Sequence, residues 1–251
     1  MGSWLVESLC LDHEVGIYDR DHTRLKYFFR SHRFLGYEEI RDFGPELLIN
    51  AVSLDNTVSV FRELAPFLPR NCMLADITSV KNGLHAYYLE SKMRFVSTHP
   101  MFGPTFANIR ELKGENAIVI SESDPEGKSF FRNFYASFDL NIHEYSFREH
   151  DETIAYSLSI PFSSSLVFAA CMKQLEAPGT TFRKHLDVAR GVLSEDDYLL
   201  SEILFNKHTI TQVEKINAQL MRLLEMVRDR DFAELKAFLD KLRGNIGLQG
   251  E

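Results

Sequence analysis

The sequence predicts an α/β fold with a mostly parallel sheet, followed by an all-α region, and two observations support this. From residue 14 to residue 145, short apolar runs alternate with segments of helical periodicity, which is the pattern of βαβ units. After about residue 147 the strand patterns stop and only helical patterns follow. We therefore expect two domains, one at 1–147 and one at 148–251.

The first predicted helix and strand have the order found in dinucleotide-binding βαβ units. Residues 1–10 carry an apolar helical stripe, and the strand EVGIYD at 14–19 ends in Asp19. In such units a Gly-x-Gly-x-x-Gly turn approaches the pyrophosphate, and an acid about 20 residues later binds the ribose. Gly2 matches the last glycine. We therefore expect a Rossmann-like domain in which Gly2 and Asp19 contact a dinucleotide.

Two interpretations of Asp19 are open. As a ribose ligand it favours NAD over NADP, and as a lone acid it is simply a solvated residue in the turn YDRDH. Arg20 follows directly, and an arginine at this place can accommodate the 2′-phosphate of NADP. NAD is the expected cofactor, and NADP stays possible.

The first strand and the two earlier glycines of this unit would lie upstream of Met1. A doubly wound sheet without that strand loses a central element, and each backbone group buried without a partner costs about 1–3 kcal/mol. We therefore expect the chain to be an N-terminally shortened form of a longer protein. The codons upstream of Met1 test this: a nearby in-frame stop, with no apolar run ending in Gly-x-Gly, contradicts it.

Strands and helices then alternate up to residue 145. The further predicted strands are ELLINAV at 46–52, CMLADI at 72–77, RFVST at 94–98, NAIVIS at 116–121 and LNIHEY at 140–145. The helices between them are predicted at 22–31, at 55–65, from near Val80 onward, and at 129–138. In the second region, helices are predicted at 150–175, 181–193, 195–206, 209–228 and 231–243.

Polar side chains follow two of these strands at their carboxyl ends, where open parallel sheets bind ligands. The group after the strand at 72–77 is Asp76, Thr78, Ser79 and Lys81. His99 follows the strand at 94–98, and Pro100, Gly103 and Pro104 stiffen the loop after it. This arrangement favours a site in which a histidine works beside a bound cofactor.

Composition and charge narrow the classes of function. The chain has 251 residues and a formal net charge of −8, and its scattered basic residues argue against a nucleic-acid surface. Cys10, Cys72 and Cys171 lack CxxC spacing, which favours a reducing compartment. No apolar run reaches the roughly 18 residues that a membrane span needs, and the first residues lack the charged and apolar regions typical of a signal peptide. We expect a cytoplasmic protein that acts on a small molecule.

Three motifs carry a resemblance to a known family. They are DITSVKNG at 76–83, HPMFGPT at 99–105 and EHDETIAYS at 149–157, and the stretch PGTTFRKHLDVARGVLSEDDYLLSEIL at 178–204 supports them. Through these motifs the chain, from Met1 to roughly residue 225, resembles the prephenate dehydrogenase family of tyrosine biosynthesis. The resemblance implies a helical domain that forms a homodimer and an active site between the two domains. The chain departs from the family at the shortened glycine loop, and at Ser159 and Phe162, where some members have histidines.

The resemblance implies an oxidoreductase that converts prephenate to 4-hydroxyphenylpyruvate by oxidation and loss of CO2. Such an enzyme places C4 of prephenate against the nicotinamide, polarises the hydroxyl and anchors two carboxylates. His99 is the expected acceptor of the hydroxyl proton, because imidazole titrates near neutral pH. Without the resemblance, a histidine bonded to a loop backbone is the better interpretation.

Further roles follow from the same resemblance. Arg183 is the expected carboxylate anchor, since a guanidinium binds a carboxylate bidentately; a solvated helix arginine is the alternative, and Arg190 could take the role instead. Ser79 and Lys81 are expected beside the nicotinamide and the substrate hydroxyl as catalytic residues, although Ser79 could simply cap the helix near Val80. The remaining expected cofactor contacts, at the ends of two strands, are Val52, Ser53 and Asp76.

Other possibilities stay open at this point. His143, Glu144, His150 and Asp151 match no familiar set of metal ligands, so we expect no metal, and we expect His150 and Asp151 to cap the first helix of the second domain. A dehydrogenase of the same architecture that acts on arogenate or another hydroxy acid is an alternative function. A non-catalytic dimer that has lost nucleotide binding is another.

Overall fold

The computed structural model describes residues 1–103 and 111–248. Pro104 and Thr105, the last residues of the HPMFGPT motif, lie outside the described residues. The helices up to residue 145 are α1 (Gly2–Leu9), α2 (Tyr37–Phe43), α3 (Thr57–Leu64), α4 (Leu84–Ser91) and α5 (Pro125–Ala136). The strands are β1 (Gly16–Ile17), β2 (His32–Arg33), β3 (Leu47–Asn50), β4 (Met73–Asp76), β5 (Phe95–Pro100), β6 (Asn116–Ile120) and β7 (Asn141–Tyr145).

Helices alone follow β7 in the described part of the chain. They are α6 (Phe147–Cys171), α7 (Thr180–Leu193), α8 (Asp197–Leu204), α9 (Thr209–Asp229) and α10 (Phe232–Asn245). The change from α/β to all-α structure therefore lies between Tyr145 and Phe147. The division into two domains at 147/148 stays a prediction.

The strands form two sheets. One holds β1 and β2, which pair in parallel, and the other has the order β3-β4-β5-β6-β7. Only the β5–β6 pair of the larger sheet is antiparallel among the described strands. A Cβ at Gly16 would lie 2.3 Å from a ring atom of Phe34, so β1 needs glycine at its contact with the segment after β2. The predicted Rossmann-like, mostly parallel α/β fold with a helical C-terminal region is confirmed.

Apolar side chains cover both faces of the larger sheet. Val96 of β5 packs in one core cluster with Trp4 of α1 and Phe131 of α5. Leu74 of β4 packs in the other, with Phe147 of α6. Since side chains alternate along a strand, Phe95, Ser97 and His99 of β5 lie on the face of the sheet against which α6 packs.

Three local predictions were wrong. The helix predicted at 22–31 is a shorter 3₁₀ helix at His22–Tyr27, and β2 and α2 were not predicted. The helix predicted from near Val80 begins at Leu84, because Gly83 takes a left-handed conformation (φ 74°) as its N-cap, which glycine adopts without steric cost. The strand predicted at 94–98 continues to Pro100, so that His99 lies within β5 and not after it.

The long helix α6 carries an apolar segment that the sequence prediction missed. An 18-residue window in it has a mean hydropathy of 1.5, and among the described helices it alone is long and apolar enough to cross a membrane. This test concerns length and composition only, and the core helix of a soluble protein passes it as well. In the structure, α6 packs against α7, α8 and α9.

Candidate active site

The carboxylate of Asp76, at the end of β4, is paired inside the protein. Lys81 Nζ lies 2.6 Å from Asp76 Oδ1 and 2.7 Å from the carbonyl oxygen of Thr98, and neither side chain of the ion pair is exposed. Thr78 donates its backbone N–H and its hydroxyl to Asp76 Oδ1, and the Tyr88 hydroxyl donates to Oδ2. Lys81 thus ties the end of β4 to β5.

Burial and ion pairing act in opposite senses on this pair. Burial raises the pKa of Asp76, but the charge and hydrogen bond of Lys81, together with hydrogen bonds from Ser97 and Tyr88, lower the pKa overall. Burial lowers the pKa of Lys81, and the charge of Asp76 opposes that shift. Both groups are charged, because each ion is the partner that the other needs in a buried site.

These contacts correct two expectations. Both oxygens of Asp76 accept hydrogen bonds within the protein and the residue is fully buried, so its carboxylate is not free to contact a cofactor. Lys81 has three ammonium hydrogens, and Asp76, Thr98 and Thr78 (3.4 Å) supply three acceptors. Lys81 therefore holds the loop after β4 and contributes its charge, without contacting a substrate directly.

His99 is buried in β5, where it is only 6% exposed. Its Nδ1 lies 3.0 Å from Nε2 of His150, which comes from α6. Burial lowers the pKa of His99 well below its ordinary value, and the charges of His150 and Lys81 lower it further. The ring is therefore neutral near pH 7, which is the state that a proton acceptor needs.

The sequence had suggested that His150 and Asp151 cap α6, and this prediction was wrong. The N-cap is Ser146, which forms a capping box with Glu149. His150 is fully buried, and its Nδ1 lies 3.4 Å from Asp151 Oδ1. Burial lowers the pKa of His150, and the hydrogen bond with Asp151 opposes this. The contact between His150 and His99 is one that sequence reasoning missed, and the EHD motif was the signal that could have indicated it.

A cavity of about 1070 Å³ is lined by both sheets and by four of the predicted cofactor residues. These residues are Gly2, Asp19, Val52 and Ser53. A Cβ at Gly2, the first residue of α1, would be in van der Waals contact with the Ala51 Cβ at 3.4 Å, so glycine leaves room at the start of the helix. The Asp19 side chain is 38% exposed, and Arg24 lies 3.8 Å from it. A small residue at a helix start and an accessible acid after a strand fit the pyrophosphate and the ribose of a dinucleotide.

Two further predicted residues lie on α7 and in the loop after β4. Arg183 is exposed on α7, where its guanidinium donates to Thr180 Oγ1 at 3.5 Å. Ser79 is half-buried in the loop between β4 and α4. In the same loop, Asn82 donates to Glu202 of α8 at 3.1 Å, which joins the end of β4 to the helical region.

No metal site is found in the described ranges, 1–103 and 111–248: no group of three His, Cys, Asp or Glu residues there could hold an ion. The residues that the sequence had raised as candidates have other partners. Glu144 pairs with Lys128 at 2.9 Å and with Arg132 at 2.6 Å. His143 Nε2 lies 3.1 Å from Asn116 Oδ1.

Comparison with known proteins identifies sequences that are similar to this chain. The sequence model of the prephenate dehydrogenase nucleotide-binding domain matches residues 17–120. A protein of Methanocaldococcus jannaschii named probable arogenate/prephenate dehydrogenase is 22% identical over 200 residues, which is 74% of this chain and 44% of that protein. The T-protein of Haemophilus influenzae is 25% identical over 65% of this chain and 45% of its own length. The chain thus spans less than half the length of either relative.

The fold also occurs in solved structures. The structure of prephenate dehydrogenase from Aquifex aeolicus in complex with hydroxyphenyl propionate and NAD+ matches with a TM-score of 0.82 at 16% identity, over 99% of this chain and 95% of that one. The structure of Synechocystis arogenate dehydrogenase matches with a TM-score of 0.73 at 14% identity, over 97% and 95%. Identities this low establish the fold alone.

Proposed function

We propose a function from the premise that the chain belongs to the prephenate dehydrogenase family. The proposed reaction is the oxidation of prephenate, with loss of CO2, to 4-hydroxyphenylpyruvate in tyrosine biosynthesis. The observation that carries the proposal is His99, an imidazole buried in β5 with its Nδ1 3.0 Å from His150 Nε2 and its pKa lowered by burial. A neutral imidazole can accept a proton from the substrate hydroxyl.

Residues of the chain have distinct roles in the proposed reaction. A bound nicotinamide supplies the acceptor for the hydride that leaves C4 of prephenate. His99 takes the hydroxyl proton as the C4 carbon is oxidised, and loss of CO2 then makes the ring aromatic. Lys81 disfavours a lasting positive charge on His99, so that the proton returns to the ring oxygen, which becomes the hydroxyl of 4-hydroxyphenylpyruvate as CO2 leaves. Arg183 anchors a substrate carboxylate, and Ser79 contacts the reacting end of the cofactor.

Cofactor binding is proposed at the cavity between the sheets. Gly2, Val52 and Ser53 surround the phosphates and the nicotinamide half, and Asp19 binds the adenosine ribose, which favours NAD. Arg20 also lines this cavity, so NADP is the alternative cofactor. Asp19 favours NAD by binding the free ribose hydroxyls, and the adjacent Arg20 favours NADP by binding its 2′-phosphate. The stronger of these two interactions decides which cofactor binds more tightly.

The proposed protein is a cytoplasmic homodimer that pairs through its helical region. Exposed apolar side chains on α9 support this, because contiguous apolar patches mark interaction surfaces. They are Leu220 at 48%, Leu223 at 37%, Leu224 at 45% and Val227 at 62% exposure.

Arogenate is the second candidate substrate, and the names of two relatives favour it. The experiment measures formation of the reduced cofactor by the purified chain with prephenate or arogenate, each with NAD or NADP. Turnover of prephenate with NAD, abolished in His99→Asn, supports the proposal. Turnover of arogenate but not of prephenate makes arogenate the substrate in place of prephenate. No turnover with any pair, together with no binding of NAD, favours the non-catalytic dimer.

A further inference from the structure

His150 is a buried group that the proposed reaction does not use. It is fully buried, it is not needed to cap its helix, and a buried imidazole without a partner is costly. Its two ring nitrogens are both engaged, Nε2 with His99 Nδ1 at 3.0 Å and Nδ1 with Asp151 Oδ1 at 3.4 Å. Asp151, His150 and His99 therefore form a chain of hydrogen bonds that runs from a half-buried carboxylate to the imidazole in β5.

Counting protons along this chain determines the tautomers. An ionised carboxylate only accepts hydrogen bonds, so the proton of a neutral His150 lies on Nδ1 and is donated to Asp151. Its Nε2 is then an acceptor. The hydrogen bond to His99 consequently needs the proton of His99 on Nδ1, which leaves Nε2 of His99 with a free lone pair.

The surroundings of the two rings agree with this count. Lys81 acts on both histidines by its charge, and a positive neighbour disfavours protonation of either ring. Asp76 and Asp151 act on His150 in the opposite sense. Burial disfavours the charged form of both rings, so each carries one proton, as the count requires.

We propose that His150 and Asp151 are positioning residues that hold His99 as the tautomer with its proton on Nδ1 and a lone pair on Nε2. In the reaction proposed above, on which this part rests, the substrate O–H bond breaks and an Nε2–H bond forms on His99. The resulting positive charge lies two hydrogen bonds from the carboxylate of Asp151. Without His150 as acceptor, the proton of His99 is free to occupy Nε2, and that ring cannot accept a second proton there.

The first test reads the tautomer directly and needs no activity. Two-bond ¹H–¹⁵N spectra of the histidine-labelled chain, assigned with His99→Asn, distinguish protonated from unprotonated ring nitrogens. The wild-type chain is expected to carry the His99 proton on Nδ1. A proton on Nε2 overturns the proposal.

Two variants separate positioning from packing. His150→Gln keeps an acceptor for His99 and a donor for Asp151, whereas His150→Phe keeps a ring and has neither. The Gln variant is expected to keep the tautomer and a kcat within about threefold of wild type, and the Phe variant to lose at least about tenfold in kcat with KM unchanged. His185→Phe, at an exposed position on α7, is the control. A Phe variant that is folded by circular dichroism and keeps the His99 tautomer overturns the proposal.

The two readouts also separate this proposal from the proposed function. If the chain has the Nδ1–H tautomer but oxidises none of the tested substrates, the hydrogen-bond chain stands and the assigned reaction fails. If it oxidises prephenate and His99 carries its proton on Nε2, the reaction stands and the role of His150 and Asp151 fails. Since the wild-type spectrum alone decides the tautomer, a variant that does not fold leaves the test intact.

Discussion

Lys81 and Asp76 form an ion pair of 2.6 Å in which neither side chain is exposed to solvent. Taking two charges out of water is costly, and such a pair is kept in a stable fold only when further hydrogen bonds satisfy both ions. Here Thr98 accepts from the ammonium, and Thr78 and Tyr88 donate to the carboxylate. The pair joins β4, β5 and α4, and it fixes the loop that contains Ser79.

Removal of one member of this pair should destabilise the protein strongly. Lys81→Met leaves the carboxylate of Asp76 buried without its counter-ion, and the expected loss in the free energy of unfolding is about 3–5 kcal/mol. Urea denaturation followed by circular dichroism measures it. The double variant Asp76→Asn/Lys81→Met should recover part of the loss, because no net charge then stays buried. A single variant within about 0.5 kcal/mol of wild type contradicts the role of the pair.

Replacement of His99 should abolish most of the turnover without weakening substrate binding. His99→Asn keeps a polar side chain of similar size but cannot accept a proton, so kcat is expected to fall by about 100- to 10,000-fold. Steady-state assays with prephenate and NAD measure the change. His185→Asn, at an exposed position on α7 outside the cofactor cavity, is a matched control. Near-wild-type turnover in His99→Asn would exclude His99 as the base.

Arg183→Ala should raise the KM for prephenate far more than it lowers kcat. The guanidinium is exposed and donates to the Thr180 hydroxyl at 3.5 Å, a weak bond that leaves it available to bind a carboxylate. A lost charge-assisted hydrogen bond of about 1.5–3 kcal/mol corresponds to a roughly 10- to 150-fold rise in KM. Lys184→Ala, the neighbouring exposed residue, serves as the control. If the KM of Arg183→Ala is unchanged, Arg183 does not anchor the substrate carboxylate. Arg190 is then the candidate anchor, and Arg190→Ala tests it.

Asp19→Asn should weaken binding of NAD and leave the fold intact. Its carboxylate is accessible in the cavity wall, and the charge-assisted bonds proposed to the ribose are lost in the amide. We expect the Kd for NAD to rise at least about tenfold in a fluorescence titration. Asp12→Asn, exposed after α1, is the control. If Asp19→Asn binds NAD as tightly as wild type does, Asp19 is a solvated turn residue.

The sequence was sufficient to predict elements with several turns or strongly apolar patterns. The strands β4 and β6 and the five C-terminal helices were all expected near their observed positions. The segment from β2 to α2 was missed, because a strand of two residues and a helix of seven offer too few positions for a periodic pattern. The start of α4 depends on the left-handed conformation of Gly83, which apolar spacing does not reveal.

The sequence nominated the residues of the candidate site but did not predict the contacts between them. His99 was identified from its place after an apolar strand, yet its partner His150 is 51 residues away and reaches it across the packing of α6 on the sheet. Asp76 and Lys81 were expected to face a ligand, since both follow a strand. Their mutual attraction in a buried site decides otherwise, and that attraction depends on burial, which local spacing does not give.

The free energy of unfolding should fall as the pH drops below about 6.5, the ordinary pKa of histidine. In the fold, burial holds the pKa of His99 well below that value and also lowers that of His150. Between the folded and unfolded pKa values the unfolded chain binds more protons than the folded one, so stability rises with pH in that window and is lost on acidification. Above about 6.5 both rings are neutral in both states, and they contribute no slope.

Urea denaturation at pH values from about 5 to 7.5 measures this slope, which reaches at most about 1.4 kcal/mol per pH unit for each histidine. The double variant His99→Asn/His150→Gln should flatten it. The lowered pKa of Asp76 adds a second loss of stability, but a carboxyl group protonates only below about pH 4, outside the measured range. The wild type and the double variant differ only at residues 99 and 150. If both proteins show the same slope, the slope does not come from these two residues, and the burial of two neutral imidazoles is contradicted.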